Sequence, residues 1–206
     1  MLDPIDFLFT ALVLGVAAFI IGAIGFGFGL TTTPFLLLYL DPQTVVIVVN
    51  AVAILAFGLM LFETRREVRY RELTPVALAG VLGVPVGVYA LSALDPHALR
   101  IGIAVLVLAL TVLVIVNKQW RVPKPRVTGP VTGFCASALV AGLAIGGPLL
   151  VLYLLGRGMD RQGVRASMSF LFVVMYSTAL VGYAVQGLLT ADRLLLTAAA
   201  VPAVAL

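Results

Sequence analysis

The sequence predicts an all-α protein, a polytopic bundle of transmembrane helices built from two inverted repeats. Its 206 residues are 62% hydrophobic and only 11% charged, whereas a soluble domain is about half apolar and roughly a quarter charged. The apolar residues fall in blocks of roughly 20 that short charged clusters separate, and a helix needs that length to cross a bilayer. Lipid is therefore the expected solvent of this chain.

The apolar blocks give the predicted helices in chain order. The first, Ile5 to Ile24, has neither the basic start nor the small-residue cleavage site of a signal peptide, so we expect it to be retained. A last block begins at Leu194 and is too short to cross about 30 Å at roughly 1.5 Å per residue, so the final span is predicted to be truncated. Between them lie a short block at 35–40 and longer blocks at 43–62, 73–94, 98–116, 127–156 and 163–188.

Two segments depart from a plain spanning helix, at matching places in the two halves. The first runs from Gly22 to Tyr39 and the second from Gly142 to Tyr153. Setting Pro34 on Pro148 also aligns the tyrosines that end the two segments. The chain is therefore predicted to contain a duplicated unit of about 115 residues.

The duplication sets the predicted domain boundaries. The first transmembrane repeat is expected over residues 1–117, and an incomplete second repeat over 127–206. A basic linker at 118–126 joins them, and we expect it in the cytoplasm because cytoplasmic loops are rich in Lys and Arg.

The same rule predicts the topology of the second repeat. There are three basic clusters, at 65–71, 118–126 and 157–165. All three can lie on the same side of the membrane only if residues 127–156 enter it and return to the side from which they entered. Each repeat would then be a Gly/Pro-broken re-entrant hairpin plus three spans, and that odd number of crossings inverts the second repeat. A single long tilted helix, interrupted by glycine, is the alternative.

The breaks are the candidate binding site. Non-helical backbone cannot face lipid, because an unpaired polar group there costs several kcal/mol, so we expect both breaks in the centre of the bundle. A helix that restarts at Pro34 or Pro148 would point free amides and the positive end of its dipole into the break. The predicted substrate-binding residues are Gly25, Gly27, Gly29, Thr31, Thr32, Thr33, Pro34, Asn50, Gly142, Gly146, Gly147, Pro148 and Ser167.

Several of these residues have a structural alternative. Glycines such as Gly25 and Gly29 also let membrane helices pack closely, although for the two breaks together we favour a ligand site. Asn50 and Ser167 lie within apolar spans, where they either face the cavity or form hydrogen bonds between helices. The sequence leaves both interpretations open.

The charged residues argue against several function classes. All nine carboxylates fall in or next to predicted loops, so no proton or sodium relay is visible within the spans. Familiar hydrolase and transferase motifs do not occur, and the single Cys135 cannot form a thiolate cluster. We therefore predict no enzyme activity, no cofactor and no metal.

The basic residues lie at the ends of apolar blocks and do not line one face of the protein, which argues against a nucleic-acid partner.

At the breaks, the sequence resembles a known family. Residues 22–40, GAIGFGFGLTTTPFLLLYL, resemble the first-half signature of the TauE/SafE family of sulfite and organosulfur exporters, and residues 142–167, GLAIGGPLLVLYLLGRGMDRQGVRAS, are similar to its second-half counterpart. The resemblance implies inverted halves and a multi-pass protein of the cell inner membrane. Phe26 and Phe28 stand where the family is denser in glycine. Carried over by position, the resemblance points to Gly25, Gly27, Gly29, Thr33, Pro34, Gly142, Gly146, Gly147 and Pro148 as the substrate region.

The predicted function is transport of a small anion, with export of sulfite or small organosulfur compounds (sulfonates) favoured. A passive anion channel and a non-transporting membrane partner protein are the alternatives. The expected partners are the anionic substrate and the lipid bilayer, and the sequence leaves a homodimer open.

Overall fold

The structure, a computed structural model, describes residues 4–24, 27–116 and 125–204. Within these ranges the chain forms nine α-helices and no strand, so the predicted all-α class is confirmed. The helices are α1 (Pro4–Ile24), α2 (Phe28–Leu36), α3 (Pro42–Thr64), α4 (Tyr70–Ala93), α5 (Pro96–Val116), α6 (Pro125–Leu143), α7 (Gly147–Gly156), α8 (Arg161–Val185) and α9 (Ala191–Val204).

Three of the described helices, α3, α4 and α8, are long and apolar enough to cross a membrane. Their outward faces carry large apolar side chains: Leu59 is 56% exposed, Leu82 70% and Val181 64%. Such faces are costly in water but suit a hydrocarbon solvent. The length and composition of these helices therefore agree with the spans that the apolar blocks predict.

Acidic caps decide where three helices begin. The Asp41 carboxylate accepts a hydrogen bond from the Thr44 amide at 2.9 Å, and Asp160 accepts one from the Gly163 amide at 3.3 Å. Asp95 accepts from the Ala98 amide at 2.9 Å, and this bond lowers the pKa of the Asp95 carboxyl. Each carboxylate satisfies an amide that the first helical turn leaves unpaired.

The chain reverses direction between α1 and α2, and again between α6 and α7. The ring of Phe9, early in α1, lies 4.4 Å from the ring of Tyr39, which follows α2. In the second pair, Tyr153 of α7 lies against Gly129, near the start of α6. Both pairs are therefore helical hairpins, and neither segment is one long helix.

Most of the described arginines lie at one end of the bundle. Arg157 forms an ion pair with Glu72 at 2.6 Å, and Arg165 forms one with Glu63 at 3.2 Å, so the loop before α8 lies beside the loop between α3 and α4. We call this the basic end. At the opposite end, Arg193 of α9 donates to the Thr44 hydroxyl at 3.0 Å. Residues 118–124 of the predicted linker lie outside the described residues.

The two hairpins open towards different ends. The α1–α2 hairpin ends beside Asp41, the cap of α3, at the opposite end. The α6–α7 hairpin ends at Arg157, which forms its ion pair with Glu72 at the basic end. Their tips therefore point towards each other within the bundle.

Helices α4 and α6 pack with their backbones in contact. A Cβ built on Gly83 would overlap the carbonyl oxygen of Phe134, and one built on Gly87 would overlap that of Ala138. From the α6 side, a Cβ on Gly133 would overlap the carbonyl oxygen of Val76. Small residues permit such close approach between membrane helices.

The α4–α6 contact predicts a difference between two glycine substitutions. Gly83→Ala should destabilise the protein by about 1–3 kcal/mol, because the added methyl group overfills a closed interface. Gly102→Ala in α5 should be neutral or stabilising, since a Cβ there meets no described atom within 4 Å and alanine is the better helix former. Thermal unfolding in detergent measures both variants. Equal midpoints would contradict the packing described.

Candidate functional site

The tips of the two hairpins meet inside the bundle. A Cβ built on Gly29, the second residue of α2, would overlap the carbonyl oxygen of Ala144 in the turn between α6 and α7. The contact joins backbone to backbone, so the lack of a side chain at residue 29 is what permits it. The two predicted breaks therefore come together, although Gly25 lies outside the described residues.

Helix α2 begins earlier than the sequence predicts. Gly27 precedes it with a φ of 102°, in the left-handed region that glycine adopts without strain. The Thr31 amide donates to the Gly27 carbonyl at 2.9 Å, which closes the first turn. The prediction that a helix restarts at Pro34 is therefore wrong, since Pro34 lies inside α2. The free amides of this terminus belong to Phe28, Gly29 and Leu30 instead.

Helix α7 begins where the sequence predicts. Gly146 precedes it, and Pro148 occupies its first turn, where the missing amide hydrogen costs nothing. Just before this turn, Ala144 takes a φ of 57° and its amide donates to the Val140 carbonyl at 3.0 Å. This left-handed residue ends α6 in the manner usual for glycine, and it turns the chain sharply into α7.

A small cavity lies between the two helix N-termini. Its volume is about 10 Å³, which is room for about one water molecule. In this conformation the cavity is therefore too small for a ligand of several heavy atoms. The cavity is lined by Gly27, Phe28, Gly29, Leu30, Phe57, Ala144, Ile145, Gly146, Gly147, Pro148, Phe172 and Tyr176.

The electrostatics of the cavity favour an anion. The N-termini of α2 and α7 both contribute lining residues, and each carries the positive end of a helix dipole. None of the described lining residues is Asp or Glu. The partial positive charge there is therefore not neutralised by a lining carboxylate.

Besides Phe28, three aromatic residues line the cavity and form what we call its aromatic wall, and the sequence analysis missed these three. The ring of Phe57 lies 4.6 Å from that of Phe172, which stacks on Tyr176 at 5.1 Å. No described residue hydrogen-bonds to the Tyr176 hydroxyl. One signal was available, because Phe172 follows Phe57 by 115 residues, the length of the predicted duplicated unit.

Some predicted site residues lie away from the cavity lining. Thr31 and Thr32 belong to α2, and the Thr32 hydroxyl donates to the Phe28 carbonyl at 2.7 Å. The Thr33 hydroxyl is buried and has no hydrogen-bond partner among the described residues. Gly142 packs against Gly87 of α4, which is the packing role left open for these glycines.

Asn50 forms hydrogen bonds between helices. Its amide donates to the Val140 carbonyl at 2.9 Å and to the Tyr183 hydroxyl at 2.6 Å, and that hydroxyl donates to the Ala141 carbonyl at 2.6 Å. Helix α3 is thereby bound to the end of α6 and to α8. Ser167 lies elsewhere, with its hydroxyl 3.7 Å from the Met159 sulfur. The two residues are therefore not brought together.

The family model described as sulfite exporter TauE/SafE matches residues 10–206 of this chain, a range that includes both hairpin tips and the cavity between them. No curated protein matches the chain, and no solved structure does.

The hydrogen bonds of Asn50 predict a structural role. Asn50→Ala should lower stability by about 1–2 kcal/mol, because two hydrogen bonds between helices are lost. The measurement is the thermal unfolding midpoint in detergent, with Ser177→Ala as the control because Ser177 is exposed on α8. An Asn50→Ala protein as stable as the control would contradict this role.

Proposed function

This chain belongs to the TauE/SafE family of sulfite exporters, a family of membrane transporters, and from that premise we propose that it exports sulfite or a small sulfonate across the cell inner membrane. One observation carries the proposal: the N-termini of α2 and α7 line a common cavity that no described carboxylate lines. Two converging helix N-termini suit an oxyanion.

The proposed topology is that of a multi-pass protein with inverted repeats. Cytoplasmic loops are rich in arginine and lysine, so the basic end would face the cytoplasm. The α1–α2 hairpin would then enter from the outer face and the α6–α7 hairpin from the inner face. On this assignment the repeats over 1–117 and 127–206 are related by inversion, as in many transporters.

The amides at the hairpin tips are the proposed ligands for the sulfur oxyanion. The free amides of Phe28, Gly29 and Leu30 would donate from one side, and those of Gly147 and Leu149 from the other. Hydrogen bonds to an ionised acceptor are roughly twice as strong as those between neutral groups. Sulfite and sulfonates share a group of three oxygen atoms, so the same amides suit both.

The aromatic wall would then contact the rest of the substrate. Phe57, Phe172 and Tyr176 line the cavity beside the tips. Two of these rings present only carbon, which suits the organic part of a sulfonate, whereas the Tyr176 hydroxyl can donate to an oxyanion. We propose that the wall sets how large an organic group is accepted.

Transport would require the tips to separate. A cavity of about 10 Å³ cannot hold an anion of four or more heavy atoms, so the contact between Gly29 and Ala144 must open. The close packing of α4 on α6 would hold α6 in place, which leaves α2 and α7 as the moving parts. A gate of this kind favours a carrier, because a channel needs one continuous opening; a passive channel remains the alternative.

The direct test is flux through the full-length protein in proteoliposomes. We expect saturable transport of labelled sulfite or of a short sulfonate such as sulfoacetate, with no flux in liposomes that lack the protein. Indifference to every anion tested would remove the proposal. Flux that fails to saturate and ignores pH and sodium gradients would identify the channel instead.

Gly147→Val should abolish this transport while the protein still folds and inserts. A Cβ at residue 147 would lie 3.6 Å from the Phe172 ring and 4.0 Å from the Met168 methyl group, so alanine fits but the branches of valine fill the cavity. Gly58→Val is the matched control, because a Cβ there meets no described atom within 4 Å. Normal flux through the Gly147→Val protein would show that the substrate does not bind at this cavity.

Tyr176→Phe should raise the KM for the anion by about fivefold, which corresponds to the loss of one hydrogen bond of about 1 kcal/mol. The unfolding midpoint should stay unchanged, since no described residue bonds to this hydroxyl. Tyr89→Phe serves as the control because Tyr89 is exposed on α4. An unchanged KM would show that the Tyr176 hydroxyl does not touch the ligand.

A further inference from the structure

A second cavity lies at the basic end, where α4 and α6 begin and α7 ends. Its volume is about 430 Å³, within the range of small-molecule sites. It shares no described lining residue with the cavity at the hairpin tips, and we call it the basic-end cavity. It is lined by Arg71, Glu72, Pro75, Val76, Arg126, Pro130, Tyr153 and Arg157.

The basic-end cavity holds an excess of positive charge. Three guanidinium groups and one carboxylate line it, which leaves a net charge of two. Arg157 is paired with Glu72 at 2.6 Å, and its guanidinium carbon lies 5.9 Å from the centre of the Tyr153 ring. Arg71 and Arg126 form no ion pair or hydrogen bond with any described residue. Two of the three cations are therefore available to a ligand.

We propose that the basic-end cavity binds a tetrahedral oxyanion of the phosphate type, either free in solution or as the headgroup of an anionic lipid. The planar donor groups of arginine match the oxygen atoms of a phosphate in pairs. Arg71 and Arg126 supply this recognition directly. Arg157 joins them when the anion replaces Glu72 as its partner.

A bound oxyanion connects three helices. Arg71 lies in the first turn of α4, Arg126 in the first turn of α6, and Arg157 just after α7. Helices α6 and α7 are the two arms of one hairpin, so the anion ties the open end of that hairpin to α4. This inference concerns a different site from the proposed transport of sulfite and does not rest on it.

The test measures thermal unfolding of the full-length protein in neutral detergent, at increasing inorganic phosphate and constant ionic strength. A ligand that binds only the folded state raises the unfolding midpoint as its concentration passes the dissociation constant. Wild-type protein should show a saturable rise of a few degrees, and Arg71→Gln and Arg126→Gln should lose most of it. The matched control is Arg161→Gln, which removes an exposed arginine at the same end that does not line the cavity.

A carboxylate variant tests the competition at Arg157. Glu72→Gln removes the acidic group that faces the anion. Half of the rise should therefore be reached at about one third of the wild-type phosphate concentration, since a partly exposed ion pair changes an affinity by about threefold. A Glu72→Gln protein that needs more phosphate than the wild type would contradict the exchange of partners at Arg157.

Measurements in lipid vesicles distinguish a lipid headgroup from a free anion as the source of the oxyanion. The same variants are melted in vesicles of phosphatidylcholine with and without phosphatidylglycerol. Stabilisation by phosphatidylglycerol but not by phosphate identifies a lipid headgroup, and the reverse identifies a soluble anion. No effect of either on the wild type, or an equal effect on the Arg71→Gln and Arg126→Gln proteins, overturns the proposal. Because the readout is stability, a failure to transport sulfite leaves this result unchanged.

Discussion

Non-helical backbone inside an apolar helical bundle must be shielded from lipid by other parts of the protein. Other features of the molecule follow from this constraint. An unpaired amide or carbonyl in a hydrocarbon environment costs several kcal/mol. Here the two interrupted segments cover each other, because Gly29 of one hairpin lies on the Ala144 carbonyl of the other. The same contact places two helix N-termini at one cavity. The contact that shields the two breaks therefore also brings the two helix N-termini together.

The surrounding helices hold this contact from several sides. Close glycine packing joins α6 to α4, and Asn50 binds the last carbonyls of α6 through hydrogen bonds that cross between helices. The rings of Phe57 and Phe172 line the cavity between the tips. Glycine packing and the Asn50 hydrogen bonds therefore fix α6, whereas neither of these two interactions involves α2 or α7. That difference is why we assign the motion to the hairpin tips.

The two predicted repeats are less equivalent in their contacts than the sequence suggests. Pro148 lies in the first turn of its helix, as predicted, but Pro34 lies inside α2 because the left-handed Gly27 starts that helix earlier. Asn50 and Ser167 both lie within apolar spans, yet Asn50 joins helices whereas Ser167 contacts Met159, eight residues away in the chain. A sequence repeat predicts which positions of the two halves correspond to each other. It does not predict that the corresponding residues make the same contacts, since each half packs against different neighbours.

The sequence by itself determined the helical class, the positions of the long apolar helices and the two segments in which helices break. These are local properties, set by runs of apolar residues and by glycine and proline. Only the tertiary structure decided which amides face the cavity, which aromatic rings enclose it, and that Asn50 supports α6 instead of lining the site. The physical reason is distance along the chain. The Asn50–Tyr183 hydrogen bond joins residues that are 133 positions apart, and tertiary packing brings such a pair together. A local sequence pattern contains no information about that packing.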